Sequence, residues 1–547
     1  MCLDKVPDLR KKLLLALSAI IIVVAIGLRS VHHSDWLVFK SDQARDAIIM
    51  NQAMAHGITS LPLLGPEAGS TGFHLGPISY YFQYFSGKIF GGTAESFAYP
   101  DLVFGVLTIP LLFLLLQRFI PLPLSLWFTA LASVSLFLVT FSRFTWNPNG
   151  LPFFTTLFAL FFLEAIERKG ATRRWLLVGA ATCVGIIAQL HLVAIAGLLI
   201  GLTMFLVLSR SLRLREIFFG IAIVTALQFP IFVHEWKTGG ENTETFKKAL
   251  TDDTYHGVGH GWHEKIFRSY QQASRVTWLT VTGQQDTDVI KTEGFSMTCD
   301  KKCRALLPYS IPAMMIFGFI TVSAYQRWRS ASDMKRKTAL AFVGLWFAGF
   351  FFATVFVAYE IQTRFYLGII PPLFIFLGIA ADRIVGAVRS IWLKNATVAA
   401  GIALILINFQ ATTKYLHELD MSQTSAEESG RDLRFGTEAK VTLGQLRSIA
   451  DETLHRFPHK DIPILISGES HNVKSMYYVL SAEYGYQGCY FRGEMRDAPD
   501  GFNRLFIDER KPSSTDDLIP FGTLGAVFDP ASRSEPRMPF PEKCLTY

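Results

Sequence analysis

The sequence predicts a polytopic α-helical membrane protein of about eleven spans, with a small extracytoplasmic α/β domain at its C-terminus. Half of the 547 residues are hydrophobic and only 18% are charged, which is too apolar for an ordinary soluble enzyme of this length. Apolar windows recur along most of the chain. Lys and Arg fall in short runs between these windows, a pattern typical of membrane topology rather than of a nucleic-acid surface.

Eleven apolar windows are each close to the roughly 20 residues that an α-helix needs to cross the hydrocarbon core. They cover residues 13–29, 100–117, 123–141, 150–166, 174–190, 191–208, 215–233, 305–324, 338–358, 364–382 and 391–409. The first window is rich in long aliphatic side chains and lacks the small-residue cleavage site of a removable signal peptide. We therefore expect it to remain as the first span.

The basic residues predict which side of the membrane each loop faces. If the N-terminus, with its cluster at 5–12, is cytoplasmic, basic clusters recur in every second loop, at 168–174, 210–215, 327–337 and 383–394. The outer face then receives residues 30–99, 142–149, 234–304, 359–363 and the C-terminal tail. We expect a multi-pass protein of a bacterial inner (plasma) membrane, with a cytoplasmic N-terminus and an extracytoplasmic C-terminal domain.

Residues 411–547 differ from the rest, because charges are spread throughout and no window is long enough to span. Leu443 to Phe457 has the pattern of an amphipathic helix, Pro463 to Ser467 that of a short buried strand, and Val473 to Ala482 that of a second helix. We therefore divide the chain into a transmembrane domain, 1–410, and a soluble α/β domain, 411–547.

Four of the six cysteines fall on the predicted outer side. Two lie in the loop 234–304 and two in the tail, so the pairs Cys299–Cys303 and Cys489–Cys544 are candidate disulfides in an oxidising compartment. Unpaired thiols are the alternative. Cys183 lies inside a span, where we expect it to serve packing.

The first outer loop, 30–99, is too long to be a simple connector. Ser41 is expected to cap a helix that carries Asp42 in its first turn and Asp46 four residues later on the same face. The positive end of the helix dipole favours ionised Asp42. Such a carboxylate can accept a proton from an acceptor hydroxyl or hold a divalent cation, and a capping Asp with a surface Asp behind it is the structural alternative.

The same loop continues to His74 and then to Pro77, Tyr80 and Tyr81. Pro77 suits the first turn of a helix, and the aromatic run behind it suits a helix at the membrane interface. His74 is then expected to point into a cavity beside the turn of Asp42. An interfacial histidine without a role is the alternative.

The order of these features resembles the GT-C superfamily of polytopic glycosyltransferases, in particular its protein O-mannosyltransferase and aminoarabinose-transferase types. The resemblance rests on an Asp-x-Ala-Arg sequence that starts at Asp42, a Gly- and Pro-rich stretch, and a Gly-Pro-x-x-Tyr-Tyr sequence. The segment from Ser142 to Asn149 resembles a short outer loop of bacterial members, and Gln362 to Leu367 resembles a late-span motif. The similarity covers about residues 10–410 and excludes the C-terminal domain.

The resemblance implies a GT-C-like fold and an inverting transferase that takes a sugar from a polyprenyl-phosphate-linked donor on the outer face, with Asp42 as general base. The acceptor would be an envelope glycan, a lipid or a protein. Those families commonly have Asp-Glu where this chain has Asp42-Gln43, and the second carboxylate, assigned as a catalytic helper, comes only at Asp46. A divalent cation is therefore left open as a cofactor.

The departing phosphate of such a donor needs a cation near the interface. Arg143 and Arg364, at the outer ends of two predicted spans, are candidates, with snorkelling anchors as the alternative. Arg45 is expected to fix the geometry of the Asp pair. Asn147 and Tyr366 lie in the segments that carry the resemblance and are assigned to substrate binding together with Tyr80, Tyr81 and His74.

The second outer loop, 234–304, adds Glu235 as a further carboxylate for the cavity. It also holds His256, His260 and His263, whose spacing of four and three residues suits a zinc site on a helix. The interleaved glycines argue against a helix, so a mobile loop that covers the substrate is the preferred interpretation.

Other catalytic classes lack support, because no P-loop, G-x-S-x-G, Rossmann or Cys-x-x-Cys motif is present. The expected partners are the lipid-linked sugar donor, the envelope acceptor and membrane lipids, without nucleic acid. A transporter or flippase of lipid-linked saccharides is the first rival, although no inverted repeat is visible and few charges lie within spans. A non-catalytic GT-C-like scaffold is the second.

Overall fold

The computed structural model describes residues 8–69, 71–251, 261–284, 291–293, 296–298, 307–356, 362–422, 434–435, 438–439, 441–491, 501–509, 518–531 and 544–545. Most of the first 422 residues form a helical bundle. Its first helices are α1 (Asp8–Ser30), α2 (Ser41–His56), α3 (Ile78–Phe90), α4 (Ala94–Leu116), α5 (Leu122–Val134), α6 (Leu136–Thr140), α7 (Leu151–Glu167), α8 (Gly170–Leu190) and α9 (Leu192–Ser209). The later ones are α10 (Leu214–Leu227), α11 (Phe229–Thr238), α12 (Glu241–Thr251), α13 (Trp262–Thr282), α14 (Leu307–Ser330), α15 (Met334–Phe356), α16 (Ile370–Ala387) and α17 (Ile391–Met421).

Within the described residues, all eleven apolar windows coincide with helices. Among the described residues, eight helices are long and apolar enough to cross a membrane, and α10 with α11 makes a ninth if this bent pair is one span. The other two windows are the interrupted pair α5 and α6 and the 24-residue helix α14. The chain is thus a multi-spanning helical membrane protein, and the predicted fold class is confirmed.

Prolines mark where several of these helices begin or bend. Pro123, Pro152 and Pro371 lie in the first turns of α5, α7 and α16, where a missing N–H removes no helical hydrogen bond. Pro230 lies just after the break between α10 and α11, which are bent by 60°. A proline at this point explains the bend, because its ring cannot continue the preceding helix.

Polar contacts show that the loops fall into two groups, one at each end of the bundle, as the charge alternation predicts. At one end, loops with basic clusters meet: Arg173 bonds Glu216 with Nε–Oε1 2.8 Å, and Arg327 contacts Asp382 at 3.2 Å. At the other end, the predicted outer segments 30–99, 142–149 and 234–304 contact one another through the residues described below. Which compartment each end faces stays a prediction.

The C-terminal residues form a mixed six-stranded sheet with strand order β10-β6-β5-β7-β9-β8. Its strands are β5 (Ile464–Gly468), β6 (Gly488–Phe491), β7 (Asn503–Glu509), β8 (Ile519–Phe521), β9 (Leu524–Asp529) and β10 (Cys544–Leu545); the short pairs β1–β2 (Lys291–Glu293, Ser296–Thr298) and β3–β4 (Arg434–Phe435, Glu438–Ala439) are separate. Strand β5 pairs in parallel with both neighbours, and its residues are buried on both faces, as is typical of a central strand. Helices α18 (Leu443–Arg456) and α19 (Ser470–Tyr478) complete the domain, so the predicted helix, strand and helix are confirmed.

The cysteine predictions have different outcomes. Cys489 on β6 is disulfide-bonded, and Cys544 lies on the neighbouring strand β10, opposite Phe491. Cys183 is buried and free, as expected for packing. Cys299 and Cys303 lie outside the described residues.

The C-terminal domain is joined to the first outer loop by backbone pairing. The Phe39 N–H donates to the Val441 carbonyl at 3.0 Å, and the Leu443 N–H donates to the Leu37 carbonyl at 2.9 Å. Val38 and Thr442 form the antiparallel bridge between these two bonds. The loop segment therefore acts as a one-residue strand held by the segment that leads into α18.

An ionic cluster reinforces this joint. Arg447 of α18 contacts Glu483 of its own domain at 2.7 Å and Glu95 of α4 at 2.9 Å, and its Nη1 donates to the Ser34 hydroxyl at 3.0 Å. The two carboxylates are only 17% and 16% exposed. Arg447 thus links the C-terminal domain to both the loop and the bundle. The division of the chain at residue 410 stays a prediction, and the last bundle helix continues to Met421.

Replacing Arg447 by methionine should weaken the docking of the C-terminal domain by about 1–2 kcal/mol, because two partly buried carboxylates lose their cation. We expect a lower thermal unfolding midpoint of the purified protein and faster proteolytic release of the domain. The matched control is Arg456→Met, since Arg456 pairs with Glu452 on an exposed helical face, where such a pair contributes about 0.3–0.5 kcal/mol, and its guanidinium lies over the Phe528 ring of the same domain, so neither contact joins the domain to the bundle. Equal unfolding midpoints for the two variants would contradict this role of Arg447.

Candidate active site

Helix α2 begins at Ser41, so the prediction that Ser41 caps it from outside is wrong; Lys40 occupies the cap position. The side chain of Gln43 orders this start. Its Oε1 accepts from the Lys40 N–H at 3.1 Å, and its Nε2 donates to the Thr145 carbonyl at 2.9 Å. A glutamate could make the first bond but not the second, which explains why an amide suits this position.

Asp42, Arg45 and Asp46 form one charged cluster on α2, as their spacing predicts. The Arg45 guanidinium contacts Asp46 Oδ1 through Nη2 at 2.8 Å and through Nε at 2.9 Å, and it contacts Asp42 Oδ1 through Nη1 at 3.3 Å. The Asp42 side chain is 50% exposed and that of Asp46 only 2%. Arg45 therefore bridges an accessible carboxylate and a buried one.

The environment of Asp46 perturbs its protonation. Burial raises the pKa of Asp46 to about 6, although the Arg45 guanidinium opposes the rise. The Tyr80 hydroxyl also donates to Asp46 Oδ1, at 3.4 Å. Burial and the neighbouring Asp46 raise the pKa of Tyr80, so its hydroxyl stays protonated and remains a donor.

A cavity of about 410 Å³ lies beside this cluster, between the first loop and the start of the second. Its polar lining includes Arg45, His74, Tyr80, His234, Glu241 and Asn242. Three of the predicted site residues, Arg45, His74 and Tyr80, are therefore brought to one cavity. Its volume falls within the range of about 300–1,000 Å³ typical of small-molecule sites.

His74 connects the two outer loops. Its backbone N–H donates to Asn242 Oδ1 at 2.8 Å, and the Asn242 side chain returns a bond to the His74 carbonyl at 3.0 Å. The imidazole Nδ1 lies 2.8 Å from the Gly65 carbonyl oxygen. The ring is thus oriented by the loop, and both loops are held at the cavity wall.

Two glycines permit the close turns around His74. A β-carbon on Gly65 would lie 2.1 Å from the Gly76 carbonyl oxygen, and one on Gly76 would lie 2.3 Å from Gln189 Cγ. Gln189 accepts from the Ile78 N–H at 3.0 Å and donates to the Leu227 carbonyl at 2.8 Å. The Gly- and Pro-rich stretch is therefore packed against the bundle rather than extended into solvent.

Arg364 lies beside the outer loop 142–149. Its guanidinium carbon is 4.4 Å from the centre of the Trp146 ring, a cation–π contact. Trp146 follows Thr145, whose carbonyl binds Gln43, so Arg364 and Asp42 belong to the same end of the bundle. Asn147 donates to the Leu190 carbonyl at 2.7 Å and holds the loop against α8.

Two predicted substrate ligands, Arg143 and Tyr366, have other positions than expected. Arg143 is 1% exposed and donates to the carbonyls of Leu28 and Val31 at 2.9 and 2.7 Å, where α1 ends and its carbonyls lack helical partners. Tyr366 is also 1% exposed, and its hydroxyl donates to the Ser269 carbonyl at 3.1 Å. These contacts correct the expectation that both side chains face a substrate.

Glu235 and Tyr81 also make other contacts than the predicted ones with a substrate, and neither is among the residues that line the cavity. Glu235 Oε2 accepts from the Thr243 N–H at 3.2 Å at the start of α12, and the neighbouring His234 lines the cavity instead. Tyr81 is half-buried and packs against the core that α2 shares with the C-terminal domain. The predicted carboxylate on this side of the cavity is supplied by Glu241.

Two charged residues near the cluster are missing from the predicted set. Asp101 on α4 is 9% exposed, accepts from the Trp146 N–H at 3.2 Å and interacts electrostatically with Asp46. Lys474 on α19 interacts with Asp42, Arg45 and Asp46. Asp101 carried a signal, since a carboxylate at the start of a predicted span is unusual. Lys474 carried none, because it lies in a domain without a recognisable motif.

The histidine cluster of the second loop lies mostly outside the described residues. His263 is in the first turn of α13, whereas His256 and His260 are not described. Among the residues that are described, no three His, Cys, Asp or Glu side chains are grouped so that they could hold a metal ion. A divalent cation stays a prediction.

Comparisons with known proteins bear on this arrangement. The family model of dolichyl-phosphate-mannose-protein mannosyltransferases matches residues 74–234. No curated protein sequence matches the chain. Among solved structures, ArnT from Cupriavidus metallidurans in the apo state is similar with a TM-score of 0.55 and 13% identity, covering 97% of this chain and 100% of that one.

The chain has an ArnT-like fold. The same ArnT bound to undecaprenyl phosphate gives a TM-score of 0.51 at 14% identity, with 97% of this chain and 100% of that one covered. The archaeal oligosaccharyltransferase AglB from Archaeoglobus fulgidus, in complex with an inhibitory peptide and a dolichol-phosphate, gives 0.50 at 13% identity, over 92% of this chain and 70% of that one. The similarity to ArnT covers nearly the whole chain, so the fold similarity includes the C-terminal domain that the sequence motifs left out.

Replacing Gly65 by alanine should disrupt the first loop of this fold, because the added methyl group would collide with a backbone carbonyl that cannot move independently. We expect a lower thermal unfolding midpoint and faster proteolysis within 61–76. Gly344→Ala is the matched control, since a β-carbon there meets nothing within 4 Å. A Gly65→Ala protein as stable and as protease-resistant as the control would contradict the packing described for this loop.

Proposed function

We propose that the chain is a membrane glycosyltransferase that transfers a sugar from a polyprenyl-phosphate-linked donor to an acceptor on the outer face of the membrane. The observation that carries the proposal is the Asp42–Arg45–Asp46 cluster beside a cavity at the end of a GT-C bundle where the predicted outer loops meet. The family match to residues 74–234 and the fold similarity to ArnT support the donor class.

In the proposed reaction, an acceptor hydroxyl or amine attacks the anomeric carbon of the donor sugar. The bond from that carbon to the phosphate oxygen breaks, the lipid phosphate leaves with the bonding electron pair, and the acceptor proton passes to Asp42. One displacement inverts the anomeric configuration. Asp42 suits the role of base because its carboxylate is half-exposed at the first turn of α2.

Asp46 and Arg45 have supporting roles in this reaction. Asp46 holds the guanidinium with two contacts shorter than the one to Asp42, so Arg45 is oriented mainly by the buried carboxylate. Arg45 also lines the cavity together with Tyr80. We assign the cavity to the reacting sugar, whose hydroxyl groups suit its mixture of imidazole, carboxylate, amide and phenol side chains.

Arg364 is the proposed ligand of the departing phosphate. The loop 142–149 connects it to α2, because Trp146 contacts its guanidinium and Thr145 accepts from Gln43. A guanidinium at the membrane interface can bind a phosphate through two N–H groups. Arg143 is not given this role, because its Nη atoms are engaged by the end of α1.

Asp42→Asn should lower the transfer rate by about 10²–10⁴-fold, since the amide cannot accept the proton. The measurement uses the purified protein in vesicles, undecaprenyl-phosphate-linked mannose, glucose and aminoarabinose as donor probes, and an envelope extract as acceptor. Mass spectrometry follows the released undecaprenyl phosphate and the glycosylated product. The control is Asp333→Asn, at the opposite end of the bundle, where the two carboxylate oxygens accept from the Lys335 and Arg336 N–H groups and Asn retains one of these acceptors.

Other outcomes would favour the rival functions. Unchanged transfer by Asp42→Asn would contradict its role as base. Movement of an unaltered lipid-linked sugar across sealed vesicles, without transfer, would identify a transporter instead. Neither transfer nor movement with any donor probe would support a scaffold.

The pH dependence of transfer should report on Asp46. Its raised pKa means that Asp46 gains a proton as the pH falls through about 6, which weakens its hold on Arg45. We expect kcat/KM to fall about tenfold per pH unit below that value, as for loss of one essential ionised group. In Asp46→Asn the rate should be lower and the limb near pH 6 should disappear; a limb retained at that pH in the variant would exclude Asp46 as its source.

A further inference from the structure

Helix α19 of the C-terminal domain lies directly against α2. Val473 and Met476 of α19 are fully buried in the same hydrophobic cluster as Ala44 and Ala47 of α2. Small residues on α2 allow this close approach of two helices that are far apart in the sequence. The C-terminal domain therefore packs against the helix that carries the charged cluster.

Lys474 lies on the face of α19 that is turned toward the start of α2. It is one helical turn before Tyr478, and residues four apart lie on the same helical face. The Tyr478 ring is 5.3 Å from the ring of Phe39, which is two residues before α2 begins. Lys474 is half-buried, and its ammonium interacts electrostatically with Asp42, Arg45 and Asp46.

The charged groups around Asp46 determine how a second cation affects its protonation. The described groups facing it are Asp42 and Arg45 on its own helix, Tyr80 on α3, Asp101 on α4 and Lys474 on α19. The Asp42 and Asp46 carboxylates share the guanidinium of Arg45. A neighbouring carboxylate favours the protonated form of a buried one, and a neighbouring cation opposes that effect.

We propose that Lys474 is a positioning residue of the active site, whose ammonium faces the charged cluster of α2 and stabilises the ionised Asp46 carboxylate, so that docking of the C-terminal domain completes the site. The role in catalysis rests on the proposed function. The electrostatic role does not, because it can be measured without turnover. Burial and Arg45 lower the pKa of Lys474, whereas Asp42 and Asp46 oppose that change, as expected for a cation inserted between these groups.

The test titrates Asp46 directly in the full-length protein. Infrared spectroscopy follows the protonated-carboxyl band that is missing in Asp46→Asn, and its midpoint is compared in wild type, Lys474→Met and Lys474→Arg. Removing the cation disfavours the ionised carboxylate, so the midpoint should rise by about 0.5–1 pH unit in Lys474→Met and stay near wild type in Lys474→Arg. The acidic limb of the transfer rate should move to higher pH by the same amount.

Lys460→Met is the matched control, because Lys460 lies on the same domain, is exposed, and donates to the Tyr484 carbonyl away from the cluster. Its midpoint should equal that of wild type. An unchanged midpoint in Lys474→Met, in a protein with the unfolding midpoint of the control, would overturn the inference. If the midpoint shifts in Lys474→Met but the wild-type protein transfers no sugar from any donor probe, the coupling would be supported and the proposed function contradicted.

Discussion

The backbone pairing of residues 37–39 with residues 441–443 is the interaction on which the candidate site depends. Helix α2 starts just after the first segment, and α18 starts at Leu443, the last residue of the second segment. The first loop has little regular structure before α2, so its peptide groups need partners that the loop itself does not supply. The C-terminal domain provides them, and this fixes where α2 begins and hence where Asp42 lies.

Other constraints fix the remaining sides of the site. Gln43 binds the start of α2 to the loop 142–149, and the reciprocal pair of His74 and Asn242 binds the first loop to α12. Gly65 and Gly76 let the intervening chain pass close to itself and to Gln189. In each case a polar side chain of a helix binds the backbone of a loop, or a glycine allows the loop backbone to approach a neighbour closely. An apparently irregular segment can therefore form a cavity of defined shape.

The sequence allowed prediction of features that depend on local pattern. Apolar windows indicated the helices, basic clusters indicated which loops meet, and the spacing of Asp42, Arg45 and Asp46 indicated one charged cluster. The features that depend on distant contacts were not accessible. Arg143 at the end of a predicted span has the pattern of an interfacial cation, but the free carbonyls at the end of α1 bind it within the core.

The same limit applies to the C-terminal domain. Its helices and its central strand follow from amphipathic and apolar periodicity, whereas its position against α2 follows from a surface match that no single segment encodes. Lys474 therefore has the pattern of an ordinary helix lysine. Only the packing of Val473 and Met476 against α2 makes its charge part of the cluster.

The unequal burial of Asp42 and Asp46 explains why two carboxylates four residues apart suit the proposed chemistry. Burying the Asp46 carboxylate is unfavourable unless it is paired and hydrogen-bonded, and Arg45 and Tyr80 meet both requirements. Because Arg45 is held mainly by Asp46, it makes only one longer contact with Asp42. The exposed carboxylate thus keeps lone pairs available for an acceptor proton, whereas a single carboxylate would be bound by the arginine that orients it.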